Sequence, residues 1–368
     1  MYRDDFLQKK IGERISNQSF RSLRIQQGMT DFSSNDYLGI ATHELLHNSE
    51  TDFSWNAGAK GSRLLSGNYP LIETVEKQIA LFHAAEAGLI FNSGYDANIG
   101  LLSSVPQKGD TILYDQLSHA SLRDGIRLSF AQSFSFIHNN LNDLERLLKM
   151  ATGNIFIVTE SVFSMDGDMV DLPILVAIAE KYRAHIIVDE AHATGIIGEQ
   201  GEGLVQSLGY QQKIFARIHT FGKAVGCHGA VIFGSELLRN YLINFARPFI
   251  YSTALPPASI ATIQNSYALF PTMHEQRNHL NNLIQYFQAV QIGFEISPSV
   301  TPIQIILIPG NEAVRKIAAA LQVENMDIRA ILYPTVPKNA ERLRITLHAF
   351  NTINELSKLI TLLGQLSK

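Results

Sequence analysis

Two side chains that could carry out chemistry stand at the ends of predicted strands. The apolar run His185–Val188 leads into Asp189, and the run Ile214–His219 leads into the turn Thr220–Ala224, which contains Lys223. The amine of a lysine beside a buried strand could form a Schiff base, although an exposed loop lysine has the same local pattern. A strand-end acid paired with a strand-end lysine is typical of a pyridoxal phosphate (PLP) site, where the acid keeps the pyridine nitrogen protonated.

The string Asp189-Glu190-Ala191-His192 also has a second interpretation. It matches the Walker B strand of a DEAH-type nucleotide-binding protein. That interpretation requires a GxxxxGK[ST] phosphate loop upstream, and the sequence contains none. The PLP interpretation is therefore favoured.

Other polar residues follow neighbouring predicted strands. Gly94 and Tyr95 lie in a small-residue turn at a predicted helix start, which suits a phosphate; His119 and Ser164 lie in later strand-end loops. Taken alone, each has a plain structural interpretation as a packing glycine, a loop histidine or a tight turn. Because ligands bind outside the carboxyl ends of parallel strands, we expect these residues to converge.

The elements that must position these residues alternate between strand and helix, which predicts an α/β fold with a mostly parallel sheet covered by helices. We predict an N-terminal arm (1–40), a large domain (41–255) and a smaller α+β C-terminal domain (256–368), with the second boundary at a Leu-Pro-Pro sequence. The predicted strands are Gly88–Phe91, Thr111–Tyr114, Ile155–Thr159, His185–Val188, Ile214–His219, Ala230–Phe233, Ile303–Ile308 and Arg342–Leu347, and the predicted helices are Leu71–Phe82, Asn142–Met150, Pro173–Arg183, a long region Ala258–Phe287 and a terminal helix.

Composition narrows the class of function. The 368 residues carry a formal net charge of −4, which gives no basic surface for nucleic acid or an anionic membrane. The one cysteine, Cys227, excludes an internal disulfide, and no Cys/His cluster predicts a metal site. Without a signal peptide pattern or a membrane-length apolar run, we expect a cytoplasmic enzyme of small molecules.

Together these motifs resemble the α-oxoamine synthases, fold-type I PLP enzymes that condense an amino acid with an acyl thioester and release CO2. The resemblance runs from Phe32–Gly39 to Arg342–Leu347. Three stretches, Gly61–Gly67, Leu117–Ser121 and Pro334–Pro337, resemble the branch of biotin biosynthesis that joins L-alanine to a pimeloyl thioester of CoA or a carrier protein. Relatives that make aminoketobutyrate or aminolevulinate usually have Asn at the position of Ser118.

The resemblance implies a role for each matching position. Lys223 would hold the cofactor and remove the Cα proton, Asp189 would pair with the pyridine nitrogen, and His119 would stack on the ring. The remaining implied contacts are Ser164 and His192 at the cofactor's 3-oxygen, Thr220, Gly94 and Tyr95 at its phosphate, the partner's Ser252-Thr253 at the phosphate in a homodimer with shared active sites, Asn35 and Arg344 at the amino-acid carboxylate, and Thr335 with Arg21 or Arg24 at the acyl donor.

Two positions depart from the family pattern. Lys60 stands where the family usually has Gly or a small residue, and Val225–His228 replaces a more common Phe-Gly-Val-Ser; both put the acyl specificity in question. The sister activities, with glycine or serine and another acyl-CoA, therefore stay open. A non-catalytic homologous subunit is a further alternative, but such a chain would be expected to have lost Lys223.

Overall fold

The described residues of the computed structural model, 3–23, 25, 28–46 and 57–368, form two units. The larger unit comprises Asn35–Ser164 and Met169–Arg277, and the smaller unit comprises Met1–Ser34, Met165–Asp168 and Asn278–Lys368. These divisions lie at other positions than the boundaries predicted after residues 40 and 255. Arg24 lies outside the described residues.

The strands in the described ranges are β1 (Thr30–Asp31), β2 (Ala87–Phe91), β3 (Thr111–Asp115), β4 (Gln132–Phe136), β5 (Ile155–Glu160), β6 (His185–Asp189), β7 (Ala216–Thr220), β8 (Ala230–Gly234), β9 (Glu295–Ile296), β10 (Ile303–Leu307), β11 (Met326–Asp327), β12 (Arg329–Ile331) and β13 (Arg342–Thr346). The helices are α1 (Gln8–Ser16), α2 (Pro70–Phe82), α3 (Gly94–Ser104), α4 (Ala120–Leu128), α5 (Leu141–Leu148), α6 (Leu172–Tyr182), α7 (Leu204–Ser207), α8 (Glu236–Phe245), α9 (Arg247–Ile250), α10 (Pro257–Leu269), α11 (His274–Gln288), α12 (Asn311–Val323) and α13 (Ile353–Leu366), with short 3-10 helices at Asp5–Leu7 and Phe270–Thr272.

A seven-stranded sheet forms the centre of the larger unit, in the order β2-β8-β7-β6-β5-β3-β4. Strands β4, β3, β5, β6 and β7 are parallel, and only β8 runs against its neighbours within this sheet. The predicted α/β class with a mostly parallel sheet is confirmed. The edge strand β4 was not predicted from the sequence, because four of its five residues are exposed and give no apolar run.

The strands that carry the candidate residues are buried on both faces. In β5 and β6, nearly every residue is buried, which explains why their sequences are continuous apolar runs rather than alternating patterns. Helix α3 begins at Gly94 because the Ser93 side chain caps it, accepting the Asp96 N–H at 3.1 Å. These elements fix the strand ends and the turns that follow them.

Helix α10 belongs to the larger unit, although the Leu-Pro-Pro sequence before it predicts a boundary. It packs against α2, and its Ser266 donates a hydrogen bond to the Val225 carbonyl at 2.5 Å. At the other end of the unit, Tyr37 contacts His192. The larger unit therefore begins before residue 41 and ends after residue 255, the bounds that the sequence predicts for the large domain.

The smaller unit contains an antiparallel sheet in the order β12-β13-β10-β9 and a two-stranded parallel pair, β1 with β11. Helix α13 starts with a capping box in which Thr352 and Glu355 bond each other's backbone N–H groups. The α+β character predicted for this part is present. Among the described helices, none is both long and apolar enough to cross a membrane.

Candidate active site

Asp189 lies at the carboxyl end of β6, between β5 and β7 in the sheet. Its carboxylate accepts two hydrogen bonds, from the Asn98 side-chain amide at 2.8 Å and from the Ala191 N–H at 2.9 Å. The residue is 6% exposed. Asp189 is therefore a buried acid whose orientation is fixed by a helix side chain and by its own turn.

Lys223 belongs to a chain of polar contacts in the larger unit. Its Nζ lies 2.9 Å from His192 Nε2, and His192 Nδ1 lies 2.6 Å from the Tyr37 hydroxyl. The Tyr37 hydroxyl donates to Asn35 Oδ1 at 3.2 Å. If Tyr37 donates to Asn35, it accepts from His192 Nδ1–H, which leaves His192 Nε2 as an acceptor facing Lys223.

His119 is the N-cap residue of α4, and both its backbone and its ring are held. Its N–H donates to Glu160 Oε1 at 2.6 Å, and its Nδ1 lies 2.7 Å from Ser121 Oγ. Ser121 Oγ in turn accepts from the Asn98 amide at 2.9 Å. Burial lowers the pKa of His119, and the positive charge of Lys223 lowers it further, whereas Asp189 opposes the shift. A neutral imidazole is the form favoured near pH 7.

The predicted phosphate turn brings Gly94 next to Thr220. If Gly94 carried a Cβ, that atom would lie 3.5 Å from Thr220 Oγ1. The N-terminus of α3 and the Thr220 hydroxyl are therefore close enough to contact the same phosphate. The Tyr95 side chain is turned away to α4, where its hydroxyl donates to Asp124 at 2.5 Å. Two residues before the turn, the Asn92 amide donates to the Thr253 carbonyl of the same chain at 2.8 Å.

The remaining predicted residues lie in separate places. Ser164 is half-buried in the turn after β5, in the larger unit. In the smaller unit, Arg344 is buried and donates to Thr346 Oγ1 at 2.9 Å, and Arg21 donates to Thr335 Oγ1 at 3.4 Å. Within its own unit, each of these two pairs brings a guanidinium and a hydroxyl together.

The two departures from the family pattern have different structural settings. Lys60 is exposed with φ of +67°, the left-handed region that favours glycine, which explains why a small residue is more usual there. Cys227 is directed inward, with Sγ 3.3 Å from the Val225 carbonyl and 3.5 Å from the Thr262 carbonyl. Burial raises the pKa of its thiol to about 12, so it is not a reactive thiolate at neutral pH.

These side chains fit the groups of PLP. The α3 N-terminus with Thr220 suits a phosphate, the Lys223 amine suits an aldehyde, and the oriented Asp189 carboxylate suits a pyridinium nitrogen. One further feature points to a ligand: Asn98 Oδ1 is buried and has no hydrogen-bond partner among the described residues. The donor set is that of an organic cofactor carrying both a phosphate and a basic ring.

Four residues of the site were not predicted as functional: Tyr37, Asn98, Ser121 and Glu160. Asn98 follows Gly94 by one helical turn, so the helix period could have placed it on the same side as the phosphate turn. Glu160 directly ends a predicted strand, the same signal that identified Asp189. Only the folded chain connects Tyr37 to His192, because no local spacing relates them.

Comparison with known proteins identifies the family. The family model for aminotransferase class I and II matches residues 27–363. The 8-amino-7-oxononanoate synthase of Lysinibacillus sphaericus is 40% identical over 343 residues, which cover 92% of this chain and 88% of that protein.

Two solved structures extend the comparison. The crystal structure of 8-amino-7-oxononanoate synthase from Francisella tularensis matches with a TM-score of 0.78 at 27% identity, covering 92% of this chain and 98% of that one. A serine palmitoyltransferase from S. paucimobilis matches with a TM-score of 0.88 over 98% and 96% of the chains; at 24% identity, this likeness shows the fold alone.

The chain belongs to the aminotransferase class I and II family and, within it, to the family of the 8-amino-7-oxononanoate synthases. The predictions of a type I PLP fold, of PLP as the cofactor and of a PLP-dependent acyltransferase are confirmed. The roles of individual residues stay predictions.

Proposed function

We propose that this chain catalyses the decarboxylative condensation of L-alanine with a pimeloyl thioester, giving 8-amino-7-oxononanoate, CO2 and a free thiol in biotin biosynthesis. The thioester is carried by CoA or by a carrier protein. The observation that carries the proposal is the contact of Lys223 Nζ with His192 Nε2 at 2.9 Å, in the same unit as the buried Asp189. The 40% identity to a synthase of this name supports the choice of substrates.

When bound, PLP supplies an electron-accepting ring that stabilises negative charge at the Cα of an amino acid. Lys223 would hold its aldehyde, and Asp189 would keep the ring nitrogen protonated. Asn98 and the Ala191 N–H support this role, because both fix the Asp189 carboxylate. The remaining cofactor contacts in the proposal are Ser164 and His192 at the 3-oxygen, His119 on the ring face, and Gly94, Tyr95, Thr220 and Thr253 at the phosphate.

Lys223 would also act as the general base that removes the proton from the Cα of alanine and later returns one. His192 faces the same amine with an accepting nitrogen, so it would position Nζ between proton transfers. His119 would polarise the thioester oxygen with its ring. The hydrogen bonds that hold His119 at backbone and ring would keep it in a fixed orientation for that task.

The proposed substrate contacts follow the family resemblance. Asn35 and Arg344 would bind the alanine carboxylate, and Arg21 with Thr335 would bind the acyl donor, whose free carboxylate a guanidinium suits. We include in the proposal a homodimer with shared active sites, to which the partner chain would contribute Thr253. Mixing the Lys223→Ala and Thr253→Ala variants would test the shared site, since activity above that of either variant alone requires complementary subunits.

The main test replaces Lys223 by Ala. We expect turnover to fall by roughly 10²–10⁴-fold or more, because the general base is lost, and the visible absorbance of bound cofactor to disappear. The matched control is Lys213→Ala, an exposed lysine paired with Glu180 on the surface, which should retain both properties. A Lys223→Ala protein that keeps its colour and its turnover would refute the assignment.

A second test identifies the substrates. Thiol release is measured with alanine, glycine and serine against pimeloyl, acetyl, succinyl and palmitoyl thioesters. We expect the alanine and pimeloyl combination to give the highest kcat/KM. Preference for glycine or serine with another acyl group would instead assign a sister activity of the α-oxoamine synthases.

A further inference from the structure

Glu160 is a buried carboxyl at the predicted cofactor site that none of the proposed steps uses. It ends β5, and in the sheet it is the register partner of Asp189 at the end of β6. Paired residues of neighbouring strands direct their side chains to the same face, so two acids stand side by side. Glu160 is only 3% exposed.

Glu160 is connected to the site by a hydrogen bond from His119. Its Oε1 accepts the N–H of His119 at 2.6 Å. The His119 ring contacts Ser121, which accepts from the Asn98 amide, and that amide also donates to Asp189. A continuous path of contacts therefore leads from Glu160 around to its neighbour Asp189.

The charges facing Glu160 come from three directions. Asp189 stands on β6, Asp115 ends β3 on the other side, and the Lys223 ammonium is the nearby cation; His119 contributes its N–H and a ring that is largely neutral. Asp115 is already engaged by His138 and by the Asn139 N–H, both at 2.9 Å. Burial, with a smaller contribution from Asp189, raises the pKa of Glu160 to about 8.

We propose that Glu160 is a positioning residue of the cofactor site: it holds a proton at neutral pH, anchors the backbone of His119, and leaves the charge that faces the pyridine nitrogen to Asp189. This inference rests on the proposed function, which assigns Asp189 and His119 to the cofactor. A glutamine at this position would reproduce the protonated form, since its amide oxygen can accept the same N–H. Alanine would leave the His119 N–H without that acceptor.

The experiment compares Glu160→Gln and Glu160→Ala with the wild-type chain, and uses Glu190→Gln as the matched control for another buried strand-end acid. The first measurement is infrared spectroscopy of the cofactor-free protein. We expect a protonated-carboxyl band that disappears with a midpoint near pH 8, is absent from Glu160→Gln and persists in Glu190→Gln. The second measurement is the equilibrium affinity for PLP at pH 7.

For PLP affinity, we expect Glu160→Gln to remain close to wild type and Glu160→Ala to bind about tenfold more weakly, the size of one lost hydrogen bond. The proposal is overturned if no band titrating near pH 8 is lost in Glu160→Gln, or if Gln weakens PLP binding as much as Ala does. Failure of the proposed function looks different: the wild-type chain would then not bind PLP at all, or Lys223→Ala would not alter its bound state. The infrared result on the cofactor-free protein is independent of both.

Discussion

Asp189 and Glu190 are neighbours in sequence, yet they lie in two different regions of the larger unit. Asp189 joins Asn98, Ser121 and His119 in a hydrogen-bonded network at the candidate site. Glu190 is fully buried elsewhere, where its Oε1 accepts the Val205 N–H at 3.0 Å and its Oε2 lies 3.9 Å from His219 Nε2. One short motif therefore supplies a candidate cofactor ligand and a core residue.

Burial around Glu190 favours the neutral forms of the carboxyl group and of two neighbouring histidines. Arg217 donates to the His83 carbonyl at 2.6 Å, and the rings of His83 and His219 lie 4.2 Å apart. Burial lowers the pKa of both histidines well below their usual range and raises the pKa of Glu190 to about 7. Buried titratable groups therefore need not belong to one site: those around Asp189 form a hydrogen-bonded network at the candidate site, whereas those around Glu190 are enclosed in the core.

The largest effect should separate the two acids by activity. Asp189→Asn removes the charge that would support the cofactor ring, so kcat should fall by roughly 10²–10³-fold, typical of losing one preorganised electrostatic partner. Glu190→Gln should leave kcat unchanged, since the amide oxygen can still accept the Val205 N–H. Steady-state kinetics with alanine and pimeloyl thioester measure both, with cofactor content checked by absorbance. A similar fall of kcat in both variants would contradict the assignment of Asp189 to the active site and of Glu190 to the core.

The sequence alone predicted the positions of residues that end strands or lie in the turns that follow them, while their roles stay predictions. Asp189, Thr220 and Lys223 follow apolar runs long enough to be recognised, and parallel strands bring their ends to one edge. The same logic predicted His119 and the Gly94 turn. These positions depend on local pattern and on one topological rule, so they could be inferred before the fold was known.

Residues whose role depends on distant contacts could not be inferred this way. Tyr37 lies 155 positions from His192, and only packing brings its hydroxyl within 2.6 Å. Strand β4 was missed because its side chains are mostly exposed. The placement of α10 in the larger unit likewise depends on a distant contact, its packing on α2, which the Leu-Pro-Pro sequence before the helix does not indicate.

A smaller effect is expected on stability, in the way the free energy of unfolding depends on pH through Glu190. Because the folded state raises the pKa of Glu190 to about 7 from an ordinary value of 4.5, its contribution to stability is present at low pH and is lost as pH rises through 7. Between pH 5 and pH 8, the free energy of unfolding of the wild type should therefore fall by about 2 kcal/mol relative to that of Glu190→Gln. Urea unfolding at several pH values measures this difference. Glu86→Gln, at an exposed position of the same unit, should show no such trend; a flat difference for Glu190→Gln would contradict the argument.

The smallest effect concerns Tyr37, which belongs to the candidate site rather than to the region around Glu190. Tyr37→Phe removes the hydroxyl that joins His192 Nδ1 to Asn35, so His192 Nε2 should orient less well toward Lys223. We expect kcat to fall by about fivefold, corresponding to one hydrogen bond of about 1 kcal/mol, and the pH profile of kcat to shift. Tyr241→Phe is the matched control, because it loses a hydroxyl bond to the Ser104 carbonyl at 2.8 Å in the same unit and should affect stability but not the pH profile. An unchanged profile in Tyr37→Phe would show that this hydroxyl, like the groups around Glu190, serves packing rather than the positioning of Lys223.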